Sequence, residues 1–326
     1  MLIGFGQLIV GLVALFLGGD YLVRGATRIA LLARVSTTVV GLTVVAMGTS
    51  LPELAVSVGA AARGATGLAY GNIVGSTIFN VGMILGVAAL VAPIAVRRQT
   101  IRIEYPFMLT VACLVLLLCR DRWIDRLEGV FLIAVLLLFT TYIVWLARRE
   151  VVQDDASAIE RDVQRAAHLK AGAGRAWSRN ALLVAIGMAG LVLGADQVVR
   201  GAVSLAEIWR VDERIVGLTV VAMGTSLPEL ATSVVAARRR EPEIALANVI
   251  GSNLFNLLGV LGATALVYPV PILAQAATVD NWVMVAFCAA MFPLMWLGRR
   301  VGRWDGLILL VGFAAYVTYL MLTLGA

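Results

Sequence analysis

Charge is what this sequence has least of. Only 14% of its 326 residues are Asp, Glu, Lys or Arg, against roughly a quarter in a soluble domain, whose surface must face water. Histidine is nearly absent, with His168 alone, so a histidine metal site is excluded. Three cysteines in a chain of this length make no disulfide framework. No G-x-x-x-x-G-K phosphate loop and no sizeable soluble segment is present, which argues against an ATP-driven pump. No histidine falls in an apolar run, and Ser50 has only a carboxylate neighbour, so an intramembrane hydrolase lacks its base. What remains is 61% hydrophobic residues, a mean hydropathy of +0.94, and uncharged stretches of about 20 residues that recur along the chain. The chain reads as an all-α polytopic membrane protein.

Breaks at charges and at Gly/Pro clusters place spans near 2–20, 36–62, 67–92, 103–119, 129–147, 180–199, 214–237, 244–268, 280–298 and 305–325, ten in all. The first is kept as a span and not a cleaved signal, because no Lys or Arg precedes it. The 26 basic residues lie between the runs and form no patch, so they report orientation and not a nucleic-acid partner. The loops around 21–35, 97–102, 148–179, 238–243 and 299–304 hold 19 of them, the other set 7. Both termini are therefore expected outside, the 148–179 loop cytoplasmic, and the protein in the plasma (inner) membrane.

The chain aligns with itself at a fixed offset. Val40–Ala55 and Val216–Ala231 are the same sixteen residues, VGLTVVAMGTSLPELA, 176 positions apart. The same offset pairs Asp20 with Asp196, Arg24 with Arg200, Asn72 with Asn248, Ser76 with Ser252 and Asn80 with Asn256. Five spans precede the second copy's first, and five is odd, so the copies cross the membrane in opposite senses. The expected architecture is ten transmembrane helices in two inverted-topology repeats of five: residues 1–147, a cytoplasmic linker over 148–179, and residues 180–326. Such repeats recur in secondary transporters, with the substrate site where broken helices of the halves meet.

Of the 20 acids, only Glu53 and Glu229 lie in the middle of an uncharged run, and the offset relates them. A carboxylate at that depth costs at least about 2.5–3.5 kcal/mol, so it faces a cavity, a partner or an ion. Thr49 and Ser50 stand four and three residues before Glu53, on its helix face, and Thr225 and Ser226 repeat this before Glu229. Pro52 leaves the carbonyl of Gly48 without its helical donor, so carbonyls near Ala46, and near Ala222 in the second copy, are candidates to turn inward. A second oxygen set lies on the following span: Asn72, Ser76 and Asn80, repeated as Asn248, Ser252 and Asn256. The glycines beside them, Gly71, Gly75 and Gly251, suit close helix approach. Carboxylate, hydroxyl, amide and carbonyl oxygens without thiolate or imidazole suit a hard cation. Ca²⁺ takes about 6–8 such oxygens in flexible geometry, and one Ca²⁺ neutralises two glutamates. Na⁺ has a similar radius and competes for the same shell, and competition for one site reached from each side in turn suffices for exchange.

These residues resemble the sodium/calcium exchanger family of the cation/calcium antiporter superfamily, over the whole chain. The G-T-S-L-P-E motifs at Gly48–Glu53 and Gly224–Glu229, and the G-N-x-x-G-S-x-x-x-N motifs at Gly71–Asn80 and Ala247–Asn256, look like the family's two alpha repeats. The resemblance implies a cluster of four ion sites at the midplane and exchange of several Na⁺ for one Ca²⁺, with sliding of the first and sixth helices. By motif position, Glu53 and Glu229 would be the shared carboxylates. Thr49, Ser50, Ser76, Thr225, Ser226, Ser252 and the carbonyls of Ala46 and Ala222 would complete the Ca²⁺ and flanking Na⁺ sites. Where many relatives carry Asp, this chain has Asn80 and Asn256, which keeps the site at −2. Proton-coupled relatives usually carry an extra Glu where this chain has Gly75 and Gly251, which favours Na⁺; a H⁺/Ca²⁺ antiporter on the same scaffold is the alternative. No cofactor is implied beyond the transported Ca²⁺ and Na⁺, and no partner beyond the lipid bilayer.

In the linker, Ser157 with Glu160 suits the cap of a short helix, while Asp154, Asp155 and His168 read as solvated. Cys113, Cys119 and Cys288 read as small core residues, and Asp20–Arg24 and Asp196–Arg200 as interfacial pairs at helix ends.

Overall fold

The structure, a computed structural model, describes residues 2–153, 173–208, 222–272 and 276–324. Its helices are α1 (Leu2–Ala33), α2 (Thr37–Thr49), α3 (Leu51–Ala62), α4 (Thr66–Val91), α5 (Thr100–Asp121), α6 (Arg126–Gln153), α7 (Ala173–Ile208), α8 (Ala222–Gly224), α9 (Leu227–Arg238), α10 (Pro242–Val267), α11 (Ala276–Gly298) and α12 (Arg303–Leu324). Among the described residues, eight are long and apolar enough to cross a membrane, and the bent pair α2–α3 makes nine. The expected seventh span, 214–237, begins outside the described residues, as do the linker cap at Ser157, the acids Asp154 and Asp155, and His168.

Several boundaries differ from the sequence reading. Helix α1 runs to Ala33, where a loop over 21–35 was expected. Asp20 pairs with Arg24 at 2.8 Å one turn on, so charges that look like a span end are neutralised within the helix. The same holds for Asp196 and Arg200 at 2.7 Å, inside α7 and not at its end. Helix α5 starts at Thr100, three residues early, through a π-helical turn over Thr100–Glu104 in which Thr100 donates to Glu104 at 2.7 Å. The 148–179 segment is helical at both edges, since α6 reaches Gln153 and α7 starts at Ala173.

Helices α4 and α10, which carry the Asn/Ser faces, are the centre: 78% and 94% of their apolar windows are buried, against 11% for α12. Leu137, Leu138, Leu182 and Leu322 point outward from the periphery, as lipid-facing side chains do. Helices α1 and α7 pack along a seam of glycines spaced seven apart: Gly4, Gly11, Gly18 and Gly25 on one, Gly187, Gly194 and Gly201 on the other. A Cβ on Gly187 would stand 2.5 Å from the Leu22 nitrogen, and one on Gly18 2.7 Å from that of Leu191. Backbones meet there with no side chain between them.

Short strands close the two ends. β1 (Ile94–Ala95) pairs antiparallel with β4 (Arg300–Val301), and β2 (Trp123–Ile124) with β3 (Val270–Pro271). Glu243 accepts from Thr37 and Thr38 at 3.4 Å and lies 3.9 Å from Arg97, and Asp20 bonds Arg239. The loops near 34–38, 94–102, 239–243 and 299–302 therefore share one face of the bundle, the face on which the basic loops were grouped.

Candidate ion site

Both copies of the G-T-S-L-P-E motif break their helix at the serine. Ser50 (φ −86°, ψ 9°) separates α2 from α3 with a bend of 44°, and Ser226, at nearly the same dihedrals (φ −91°, ψ 6°), separates α8 from α9. Pro52 and Pro228 sit in the first turns of the new helices, where the missing N–H costs nothing. Glu53 and Glu229 follow in the same turns, at the positive ends of the helix dipoles.

The two breaks face each other and exchange hydrogen bonds. Ser50 donates to Glu229 Oε1 at 2.7 Å, and Ser226 donates to Glu53 Oε1 at 2.8 Å. Thr49 donates to Asn248 Oδ1 and Thr225 to Asn72 Oδ1, both at 3.3 Å. Asn72 Nδ2 donates to Ser57 Oγ at 3.0 Å and to the Glu53 carbonyl at 3.4 Å; Asn248 Nδ2 meets Ser233 and the Glu229 carbonyl at the same two distances. Every contact has its counterpart 176 residues away. Thr49, Ser50, Glu53, Ser226 and Glu229 are buried, and Thr225 is half-buried.

Ser76 Oγ lies 3.1 Å from Ser226 Oγ, which brings α4 to the cluster, while Ser252 is buried with its hydroxyl unbonded. Asn80 and Asn256 each stand on a π-helical turn, Asn80–Ile84 and Phe255–Val260, a distortion frequent at functional sites. Asn80 Nδ2 donates to Asn253 at 3.0 Å, leaving its Oδ1 unbonded, and neither amide atom of Asn256 has a partner. The Ala46 carbonyl accepts from the Ser50 N–H at 3.0 Å and from Thr49 at 3.2 Å, whereas the Ser226 N–H turns to Met223, at 3.1 Å, and not to Ala222. Close approach holds at Gly251, whose Cβ would meet the Leu42 carbonyl at 2.5 Å. It does not hold at Gly71 or Gly75, where an added Cβ would meet no described atom of another element within 4 Å.

Three polar residues of this neighbourhood went unread in the sequence. Ser57 and Ser233 lie one turn after each Glu and obey the 176-residue offset, so the repeat carried their signal. Asn253 corresponds to Thr77, and the offset is silent there.

Glu53 Oε2 and Glu229 Oε2 are buried and accept no hydrogen bond. With Ser252 Oγ and the Asn80 and Asn256 oxygens they are buried acceptors with spare lone pairs, which a bound cation satisfies. Among the described residues no group of three His, Cys, Asp or Glu gathers, so the shell offers two carboxylates filled out by neutral oxygens. That donor set fits a hard cation as transported substrate.

The family model for the sodium/calcium exchanger protein matches residues 3–145 and 179–322. The chain is 37% identical over 319 residues to the putative antiporter CaxA of Alkalimonas amylolytica, covering 97% of this chain and 98% of that one. It is 32% identical over 354 residues to the sodium/calcium exchanger MaX1 of Methanosarcina acetivorans, covering 98% of each. A solved structure of the sodium-calcium exchanger NCX_Mj, soaked with zero Na⁺ and Ca²⁺, superposes with a TM-score of 0.83 at 29% identity, over 98% of this chain and 99% of that one.

Proposed function

The chain belongs to the sodium/calcium exchanger family of multi-pass ion transporters, and from that premise we propose that it is an antiporter moving Ca²⁺ against Na⁺ by alternating access at the Glu53–Glu229 cluster. One observation carries the reading: each carboxylate takes a hydroxyl from the opposite half on one oxygen and keeps the other oxygen buried and unbonded. Two ionised carboxylates buried in one hydrogen-bonded cluster need counter-charge, and one Ca²⁺ or a set of Na⁺ ions supplies it. Glu53, Glu229, Thr49, Ser50, Ser76, Thr225, Ser226, Ser252, Asn80, Asn256 and the carbonyls of Ala46 and Ala222 are the proposed ligands. Na⁺ is favoured over H⁺ because Gly75 and Gly251 bring no further carboxylate to the two Glu.

The two halves are read as inverted repeats, residues 1–147 and 180–326 around the 148–179 linker; the reciprocal hydrogen bonds support this, as does the family match, which skips 146–178. The basic face is assigned to the cytoplasm of the inner membrane, with both termini outside. Alternating access is supported by an asymmetry between otherwise matched parts. Asp20 on α1 bonds Arg239 at the end of α9, and α1 packs along α9. Its counterpart Asp196 pairs only with Arg200 among the described residues, Arg63 stays exposed, and α7 has no comparable packing on α3. The α1–α7 pair thus leans toward the basic face, closing it, and the opposite state would form Asp196–Arg63 as Asp20–Arg239 opens.

The test is ⁴⁵Ca²⁺ uptake by proteoliposomes under an imposed Na⁺ gradient and, separately, a pH gradient. Uptake driven by Na⁺ is expected; uptake driven by the pH gradient alone overturns the counter-ion, and uptake driven by neither overturns the antiporter.

A further inference from the structure

The segment leading into α5 and the end of α11 meet in a cleft that the ion site does not use. Arg98, Ile101, Arg102, Trp296 and Arg299 line a space of about 460 Å³, counting its open mouth. Three guanidinium groups and no carboxylate face it. Among the described residues none of the three arginines is ion-paired, although their neighbour Arg97 reaches Glu243. Arg98 stands two residues before α5, and Arg102, four residues on, lies in its first, π-helical turn. The third comes from a costly position: Arg299 caps α11 in the left-handed region at φ 46°, where glycine is the usual residue. The two walls are tied by the β1–β4 pair and by the Val96 N–H, which donates to the Arg299 carbonyl at 2.9 Å.

Like charges gathered around one cleft repel one another until an anion joins them, and the planar fork of arginine binds phosphate oxygens in pairs. Trp296, which lines the cleft, is 59% exposed, and an indole is the side chain that favours the level at which headgroup gives way to hydrocarbon. We propose that this cleft is a binding site for the phosphodiester headgroup of an anionic phospholipid, with Trp296 and Ile101 against the upper part of its acyl chains. The apolar mouth favours a lipid over free phosphate, which shares the charge chemistry but has nothing to lay against an indole. The repeat supplies an internal comparison. The 176-residue offset takes Arg98 and Arg102 to Ala274 and Thr278 and brings Arg299 back to Trp123, leaving Arg120, at the place of Trp296, as the sole cation of that set. The triad therefore belongs to the basic face and not to the fold. Anionic lipids concentrate in the cytoplasmic leaflet, and basic pockets between helices on that side take such headgroups.

The test is native mass spectrometry of the whole protein released from neutral detergent, with phosphatidylglycerol and phosphatidylcholine offered in equal amounts. Wild type is expected to retain phosphatidylglycerol selectively. R98Q/R102Q/R299Q should lose that selectivity roughly a hundredfold, at about a factor of five per arginine. R300Q/R303Q, on the same face but outside the cleft, should keep it. Single variants R98Q and R102Q, each expected to lose part of the selectivity, serve if the triple variant does not fold. Unchanged selectivity in the cleft variants overturns the site. So does an equal loss in R300Q/R303Q, which would make the attraction a property of the whole face. In a lipid-free arm, inorganic phosphate should leave the thermal midpoint unchanged where phosphatidylglycerol raises it; a shift with phosphate alone overturns the lipid assignment.

Discussion

Ser50 and Ser226 each hold the other half's carboxylate, and their removal should be felt equally. A hydrogen bond to a charged group is worth about 1.5–3 kcal/mol, so Ser50→Ala and Ser226→Ala should each lower apparent Ca²⁺ affinity roughly 10- to 100-fold in ⁴⁵Ca²⁺ uptake. A large loss in one and none in the other would count against a shared site. The two asparagines of α4 and α10 separate structural from ligand roles. Asn72 is bonded to Ser57 and to the Glu53 carbonyl and accepts from Thr225, so Asn72→Ala should lower the thermal midpoint by leaving buried groups unpaired. Asn256 has no partner for its amide, so Asn256→Ala should weaken ion binding while the midpoint of the ion-free protein holds or rises. The Glu, Thr and Ser positions were legible because the sequence repeats them at a depth where polar atoms are expensive. The pairing of Asn80 with Asn253 was not, since it joins residues 173 apart that the offset does not relate.

At the scale of elements, the α1–α7 seam makes a clear demand. Gly187→Ala places a methyl against the α1 backbone and should destabilise by about 1–3 kcal/mol through overpacking, whereas Gly6→Ala, with open space around it, should be neutral or slightly stabilising. Thermal unfolding in detergent distinguishes the two. The heptad of glycines stands in the sequence, yet glycine at such spacing also suits a helix exposed to lipid; contact with a second glycine row decides its meaning. The break at Ser50 was foreseeable from Pro52, while the π-turns at Asn80 and Asn256 were not, because one extra residue in a turn leaves the apolar pattern of a fully buried helix unchanged.

For the molecule as a whole, the unequal ends of α1 and α7 are the feature that relates structure to transport. An exposed ion pair contributes about 0–1 kcal/mol, so Asp20→Asn should loosen the closed face without unfolding it. Hydrogen exchange should rise in 20–34 and 236–241 for Asp20→Asn and stay unchanged there for Asp196→Asn. Equal responses would remove the asymmetry on which the assignment of the closed face rests. One left-handed position differs between the halves: Arg240 occupies the place that Gly64 holds 176 residues earlier, at one backbone conformation.

Composition alone determined that this chain lives in a bilayer, because too few charged groups exist to clothe a soluble surface. Its self-alignment then singled out Glu53 and Glu229, because a carboxylate is costly at membrane depth wherever the chain goes. Which oxygens meet was left to the tertiary structure. Hydrogen bonds between residues 173 to 199 apart depend on how two broken helices cross, a geometry that local pattern does not encode. The same packing decided that α1 and α7 touch backbone to backbone, and that three arginines from two distant segments line one cleft.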